Sequence, residues 1–379
     1  MNDFLTIIGA GLAGSEAAWQ AAERGVSVVL YEMRSVIRTA AHKTDGCAEL
    51  VCSNSLGNNL PHSAPYILKE ELRSFNSIVI ASGDCNAVPA GSALAVDRDL
   101  FSQEITKKIS NHPLITLKRQ EIVEIPLSGP VIIATGPLTS PKLSEQIALL
   151  IGQEYLYFYD ALSPIVDANS IDFDKVFFAS RYGKGDADYL NCPMDEKQYY
   201  EFIRELNAAE KVPIASFEKP VYFEGCMPIE VLAERGSKTL AFGPLKPVGL
   251  PDPRTGKLAF AVVQLRKENK ESSAFNLVGF QTKLTYPEQK RIVRMIPGLE
   301  KVEFFRFGAI HRNTFIDTPR LLNNQLQIKS RPDIYFAGHI TGVEGYVESA
   351  SMGLLASLSA VAEIKGKKYV PPPRDTALG

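Results

Sequence analysis

The sequence contains no run of eighteen apolar residues, the minimum that a membrane-spanning helix needs, so no membrane span is expected. Its five cysteines are odd in number and irregularly spaced, and no CxxC pair occurs, which argues against a disulfide framework and a zinc site. The five histidines are scattered, so no metal site is expected. These absences favour free thiols in a reducing compartment, and we expect a cytoplasmic protein.

The N-terminus lacks a basic stretch and leads directly into a glycine motif, so a cleaved signal peptide is not expected. Internal repeats and low-complexity tracts are also absent. What remains is a composition that is ordinary for a globular enzyme, with 45% hydrophobic and 22% charged residues. A chain of 379 residues is long enough for two packed cores, so two domains are expected.

Charge is distributed unevenly along the chain, although the net charge is only −2. From Arg254 onward there are 19 basic and 11 acidic residues. A basic C-terminal third is compatible with a surface that faces phosphate groups, and equally with an uneven but merely solvated surface. Both interpretations remain open at this point.

A glycine-rich motif lies between two apolar runs near the N-terminus. The order is strand, glycine turn, helix, strand and acid, as a dinucleotide-binding fold requires. The segments are residues 5–8, residues 9–14, a helix over residues 15–24 that Gly25 closes, a strand over residues 26–31, and Glu32.

Each glycine of this motif has a distinct physical task. Gly9 permits the tight turn, Gly11 lets the backbone approach a pyrophosphate, and Gly14 allows close helix–strand packing. The helix N-terminus offers free N–H groups to the pyrophosphate, and Glu32 would accept hydrogen bonds from the adenosine ribose. The predicted cofactor-binding residues here are Gly9, Ala10, Gly11, Leu12, Ala13, Gly14 and Glu32.

The same arrangement could hold NAD or S-adenosylmethionine, but two later segments favour FAD. Residues 131–136 form a buried strand that ends at Gly136, and residues 334–338 form another that ends at Gly338 and is followed by Gly342 and a helix. Flavoproteins of the glutathione-reductase type carry such segments. We therefore add Gly136, Gly338 and Gly342 to the cofactor-binding residues.

The resemblance to those flavoproteins implies an α/β fold in which both ends of the chain build one domain. We expect a Rossmann-type FAD-binding domain from residues 1–152 and 301–379, with an α+β domain inserted at residues 153–300. The insertion alternates turns with strands and contains one clear helix, from about Asp195 to Leu206.

Two cysteines are candidates for chemistry because of their neighbours. Cys52 and Cys226 each lie among glycine, hydroxyl or carboxylate groups, where the ionisation of a thiol can be tuned. A buried cysteine that acts as a small apolar side chain is the alternative for both, and more so for Cys47, Cys85 and Cys192.

Two polar runs are also ambiguous. The run His311–Phe315 could contact folate, flavin or RNA, or its side chains could simply cap a loop. Residues 181–185 form either an anion-binding turn or an exposed one.

Over nearly its whole length, and in order, the chain resembles the folate- and FAD-dependent RNA uridine-5 methyltransferases. The matching blocks are long and unusual: residues 8–18, 31–34, 48–55, 88–91, 96–98, 134–140, 188–193, 223–230, 242–250, 311–316 and 341–349.

The resemblance implies a division of labour. Methylenetetrahydrofolate donates a one-carbon unit by way of FAD, and NAD(P)H keeps the flavin reduced. The RNA substrate is expected to be tRNA at its T-loop uridine, flipped out of its loop because C5 is inaccessible while the base is stacked. The resemblance further implies Cys226 as the nucleophile that adds to uracil C6 and Cys52 as the partner that handles the C5 proton.

Three alternatives remain. Ribosomal RNA could be the substrate, since some members of this family modify it. A small-molecule FAD oxidoreductase would explain the glycine motif but neither cysteine context. A catalytically inactive flavin- or RNA-binding remnant is the third, because the family's sequence continues past Gly379.

Overall fold

A computed structural model describes residues 4–39, 41–152, 156–183, 186–213, 222 and 224–379. The strands are β1 (Phe4–Ile8), β2 (Ser27–Glu32), β3 (Ser55–Asn58), β4 (Ala87–Val88), β5 (Ala93–Val96), β6 (Ile115–Arg119), β7 (Val131–Ile133), β8 (Leu156–Ala161), β9 (Ile165–Asp167), β10 (Phe177–Phe178), β11 (Tyr189–Met194), β12 (Ala261–Lys267), β13 (Ala274–Leu277), β14 (Phe304–Arg306), β15 (Ile310–Phe315), β16 (Gln327–Ile328) and β17 (Arg331–Phe336).

The helices are α1 (Leu12–Glu23), α2 (Ala64–Ser74), α3 (Ile78–Cys85), α4 (Arg98–Asn111), α5 (Pro141–Ile151), α6 (Glu196–Ala208), α7 (Ile229–Glu234), α8 (Thr239–Phe242), α9 (Tyr286–Val293), α10 (Thr318–Leu321) and α11 (Tyr346–Ile364). Short 3₁₀ turns lie at Ala168–Ser170, Arg181–Gly183, Glu224–Cys226 and Gly338–Thr341.

A six-stranded sheet in the order β16-β17-β7-β1-β2-β6 forms the nucleotide-binding half. Its central strands run parallel, and β16 is antiparallel to β17 at one edge. The central strands are buried on both faces, which is why they appear in the sequence as continuous apolar runs. The predicted strand, glycine turn, helix and strand correspond to β1, α1 and β2, and the α/β Rossmann-type fold class is confirmed.

Helices α1 and α11 pack on one face of this sheet at backbone distance. A Cβ added to Gly353 of α11 would lie 2.1 Å from the carbonyl oxygen of Ala13, so only glycine fits there. The hydroxyl of Ser357 donates to the carbonyl of Ala17 at 2.9 Å. The two ends of the chain therefore share one core.

Helix α11 passes a length and composition test for crossing a bilayer, and it is the only such helix among the described residues. However, 61% of its apolar window is buried inside the protein. Its apolar character is accounted for by its packing against α1.

A second six-stranded sheet, antiparallel in the order β10-β11-β12-β13-β9-β14, has its own core around Phe202 and Phe275. The helix expected near Asp195 is present as α6. The Asp195 carboxylate accepts from the N–H of Gln198, whose side chain reaches back to the N–H of Asp195 and completes a capping box.

The separate cores support the expected division at residues 152/153 and 300/301, which stays a prediction. Strand β14 pairs with β9 and so belongs to the second sheet, whereas residue 153 lies outside the described residues. Strands β8 and β15 form a small antiparallel sheet of their own, with His311 opposite Asp160 and Asn313 opposite Phe158. This small sheet forms one wall of the candidate site.

Candidate active site

The turn between β1 and α1 can be built only from glycine at two positions. Gly9 has a φ of +100°, and a Cβ there would lie 2.6 Å from the carbonyl oxygen of Ala134. A Cβ on Gly14 would lie 1.7 Å from the carbonyl oxygen of Gly9. At Gly11, by contrast, a Cβ would meet nothing within 4 Å, so the space in front of the helix N-terminus is open.

Glu32 ends β2 and is buried beside this turn. Its carboxylate accepts from the N–H of Ala10 at 2.9 Å and forms an ion pair with Arg34 at 2.8 Å. Burial acts to raise the pKa of Glu32, but the hydrogen bonds and charge of Arg34, with the N–H of Ala10, outweigh burial and hold it below its usual value. Glu32 is therefore ionised, and it fixes the glycine turn as well as facing the cleft.

A cleft of about 480 Å³ extends from this turn to the two candidate cysteines. Its wall includes most of the predicted cofactor-binding residues, namely Gly9, Gly11, Leu12, Ala13, Glu32 and Gly136. Four others lie outside the lining: Ala10, Gly14, Gly338 and Gly342. Of these, Gly338 lies against α1, since a Cβ there would be 2.6 Å from the Cβ of Ala13.

The far end of the cleft brings together residues that are distant in sequence. The sulfur atoms of Cys52 and Cys226 and a carboxylate oxygen of Asp160 all lie within 4.8 Å of one another. Cys52 is in the loop before β3, Asp160 is on β8, and Cys226 ends a 3₁₀ turn. The structure thus places the two predicted thiols side by side.

The peptide of Cys52 is held by one aromatic hydroxyl. The N–H groups of Cys52 and Ser53 donate to the hydroxyl oxygen of Tyr346 at 2.8 and 3.1 Å. The guanidinium groups of Arg98 and Arg306 interact electrostatically with the Cys52 sulfur. Positive charge from two sides favours the anionic form of this sulfur.

Cys226 has the opposite environment. Its thiol pKa is raised well above the usual value, first by a hydrogen bond to Cys52, then by burial, and then by the negative charges of Cys52 and Asp160. Cys226 is therefore a protonated thiol at rest. Phe223, in the same sequence block, lies outside the described residues.

The other cysteines do not reach the cleft. Cys47 and Cys192 are buried as small apolar side chains, and burial raises the pKa of both thiols. Cys85 is exposed at the end of α3.

Four polar atoms in this end of the cleft are buried and have no hydrogen-bond partner among the described residues: Asp160 Oδ1, His311 Nε2, His339 Nε2 and Glu344 Oε2. Burial raises the pKa of Asp160 to about 6, and burial with the charge of Asp160 raises that of Glu344 to about 7. Burial lowers the pKa of His339 to about 4. Unsatisfied buried groups of this kind indicate a site that is completed by ligands.

Sequence reasoning anticipated His311 and Asn313 only as members of an ambiguous polar run, and it missed Asp160 and Glu344. The available signal for Asp160 was a lone carboxylate within the otherwise uncharged strand β8. In the turn at residues 181–185, Arg181 donates to the carbonyl of Lys246 and to Gln264, while Lys184 and Gly185 lie outside the described residues.

Comparison with known proteins places this geometry in a family. The model of the family described as glucose inhibited division protein A matches residues 5–368. The methylenetetrahydrofolate–tRNA-(uracil-5-)-methyltransferase TrmFO of Heliobacterium modesticaldum is 60% identical over 99% of this chain and 85% of its own length. The enzyme of the same name from Enterococcus faecalis is 59% identical over the whole chain and 87% of its own length.

Among solved structures, GidA of Aquifex aeolicus superimposes with a TM-score of 0.73 at 19% identity. The match covers 98% of this chain and 65% of the Aquifex protein. At this identity the likeness supports the fold alone.

Proposed function

Because the chain belongs to the glucose inhibited division protein A family, and within it to the methylenetetrahydrofolate–tRNA-(uracil-5-)-methyltransferases, we propose that it methylates C5 of a uridine in tRNA, at the T-loop. Methylenetetrahydrofolate is the carbon donor, FAD is the bound cofactor, and NAD(P)H is the reductant. The proposed location is the cytoplasm. The observation that carries the proposal is the meeting of two thiols at the end of a glycine-rich nucleotide cleft.

The cleft fits FAD in two respects. The open space at Gly11 and the N-terminus of α1 suit a pyrophosphate, and the unpartnered polar atoms at the far end suit the edge of a flavin or a pyrimidine. When bound and reduced, FAD supplies the transfer of the one-carbon unit from folate. In this proposal Gly9, Gly11 and Gly136 contact the cofactor, and Glu32 orients the turn around it.

The thiols act on the uracil ring. Uracil C5 is only weakly nucleophilic until C6 carries an anionic adduct, so the sulfur of Cys226 adds to C6 and C5 gains the electron pair. After C5 has taken the carbon, the Cys52 sulfur removes the C5 proton, and the bond from C6 to the Cys226 sulfur breaks. The positive charge of Arg98 and Arg306 around Cys52 favours it as the proton acceptor.

The deciding experiment is methyl incorporation into an unmodified tRNA transcript in the presence of FAD and NADPH. Parallel reactions contain labelled methylenetetrahydrofolate or labelled S-adenosylmethionine, and a ribosomal RNA transcript serves as a second substrate. Label from folate in the T-loop uridine is expected. No label in either RNA, from protein that retains flavin, would favour a small-molecule oxidoreductase, an alternative that the named relatives do not support.

A further inference from the structure

The proposed reaction has to place two protons. The first leaves the Cys226 thiol when its sulfur adds to C6, and the second leaves C5 after the carbon has been attached. The first proton must stay off the Cys226 sulfur while the bond from sulfur to C6 exists. If Cys52 holds that first proton, it cannot also accept the second, so a further acceptor has to lie beside Cys226.

Several titratable or polar groups face this point from the surrounding elements. They are Cys52 from the loop before β3, His311 and Asn313 from β15, Glu344 from the loop before α11, and Asp160 from β8. Among the described residues, only Asp160 joins the two sulfur atoms in a cluster whose members all lie within 4.8 Å. Asp160 is therefore the carboxylate within reach of the Cys226 thiol.

The carboxylate of Asp160 is held but not consumed by the protein. The side-chain amide of Asn313 donates to Oδ2 at a long 3.5 Å. The other oxygen, Oδ1, is buried and has no hydrogen-bond partner among the residues that the structure describes. A buried carboxylate oxygen without a partner is costly, and its persistence beside a thiol indicates a functional role.

We propose that Asp160 is a catalytic residue that accepts the proton of the Cys226 thiol as the sulfur adds to uracil C6, and returns it when the sulfur leaves. This inference rests on the proposed function. In the first step the S–H bond breaks, the proton passes to the carboxylate, and the bond from sulfur to C6 forms while the C5–C6 π pair moves to C5. In the last step Cys52 takes the C5 proton, the double bond re-forms, and the departing sulfur recovers its proton from Asp160.

The electrostatics agree with this role. Burial raises the pKa of Asp160 to about 6, so the carboxylate is ionised at neutral pH and is still a better base than an ordinary aspartate. Its negative charge also keeps Cys226 protonated at rest. A general base and a mere source of charge therefore predict opposite effects when Asp160 is removed, because loss of the charge by itself would make the thiolate easier to form.

The first test measures covalent adduct formation between the FAD-loaded enzyme and a T-arm RNA hairpin that carries 5-fluorouridine, on denaturing gels. The fluorine prevents normal loss of the C5 substituent, so the adduct persists. Asp160→Asn is expected to slow adduct formation about 100-fold, a typical effect of losing a general base. Asp160→Glu should recover part of the rate. Cys52→Ala should still form the adduct, because it removes only the second proton acceptor.

The second test measures alkylation of Cys226 by iodoacetamide at about pH 8, followed by peptide mapping. Because a thiolate reacts and a thiol does not, Asp160→Asn should raise the alkylation rate about threefold or more as the nearby negative charge is lost. Glu344→Gln is the matched control, since it removes the other carboxyl of the cleft without touching the sulfur cluster. Slower adduct formation with faster alkylation in Asp160→Asn alone supports the proposal.

Other outcomes overturn it. A fall of both rates in Asp160→Asn indicates a structural role, and equal losses of adduct in Asp160→Asn and Cys52→Ala make Cys52 the first base. An equal loss in Glu344→Gln indicates a field effect. If the wild-type enzyme forms no adduct, the proposed function itself fails and this role fails with it; if the wild-type enzyme does so and Asp160→Asn matches its rate, only the role of Asp160 fails.

Discussion

The two ends of the cleft are built in different ways. At the nucleotide end, the glycine turn and Glu32 come from one stretch of chain, and the Glu32 carboxylate is fully engaged by Ala10 and Arg34. At the thiol end, Cys52, Asp160 and Cys226 come from three distant segments, and the oxygen Asp160 Oδ1 is left without a partner among the described residues.

The difference separates binding from chemistry. A frame that binds a dinucleotide has to be rigid, so its polar groups stabilise one another before the ligand arrives. A reactive end needs groups that are free to accept protons and substrates, and such groups lower the stability of the fold that holds them. The two ends should therefore respond in opposite ways to substitution.

The largest expected effect separates the two ends completely. Cys226→Ala should abolish methyl transfer, a loss of at least about 1,000-fold, since no other described group can add to C6 in its place. Flavin absorbance of the purified protein should be unchanged, because Cys226 is far from the glycine turn in the cleft. Label transfer to tRNA and the flavin spectrum are measured together; undiminished turnover would refute the assignment of the nucleophile.

The second prediction concerns two glycines of the nucleotide end. Gly14→Ala should lower the free energy of unfolding by about 2–3 kcal/mol, because its Cβ would lie 1.7 Å from a backbone oxygen. Gly11→Ala should leave the apoprotein's stability within about 1 kcal/mol, since its Cβ meets nothing. Both should weaken FAD binding, about 100-fold for Gly11→Ala, which corresponds to about 2.7 kcal/mol.

Urea unfolding of the apoproteins and fluorescence titration with FAD check this pair. If Gly11→Ala binds FAD as tightly as the wild type, the backbone at Gly11 does not approach the pyrophosphate. If it destabilises the apoprotein as much as Gly14→Ala does, the open space in front of α1 is not real.

The smallest expected effects contrast the carboxylates of the two ends. At neutral pH, Glu32→Gln should destabilise the protein by about 2–4 kcal/mol, because it leaves the buried Arg34 partly unpaired. Asp160→Asn should stabilise it by roughly 1–3 kcal/mol, because it removes a charge that burial disfavours.

The pH dependence should have opposite signs as well. The pKa of Glu32 is lowered by folding, so its contribution is present above the unfolded-state pKa of about 4.3 and is lost as the pH falls. The pKa of Asp160 is raised to about 6, so the gain from Asp160→Asn is full above that pH and disappears as the pH falls towards about 4. Thermal unfolding of each variant at about pH 7.5 and about pH 4.5 tests both; a destabilised Asp160→Asn at neutral pH would contradict the assigned strain.

The sequence by itself determined the nucleotide end. The signals for β1, α1 and β2 are local: an apolar run, glycines at fixed spacing and an acid at the strand end, each set by backbone geometry over a few residues. The same holds for α6, whose start at Asp195 is fixed by its own capping box. The role of the cysteines was available only through resemblance to a family, since local context left their burial open.

Only the tertiary structure decided the thiol end. The assignment of β14 to the second sheet depends on its pairing with β9, which no local pattern encodes. The importance of Asp160 depends on β8 pairing with β15 and on two loops bringing Cys52 and Cys226 to the same point. A pKa is set by burial and by charges that lie close in space, so the chemistry of these residues exists only once distant segments have packed together.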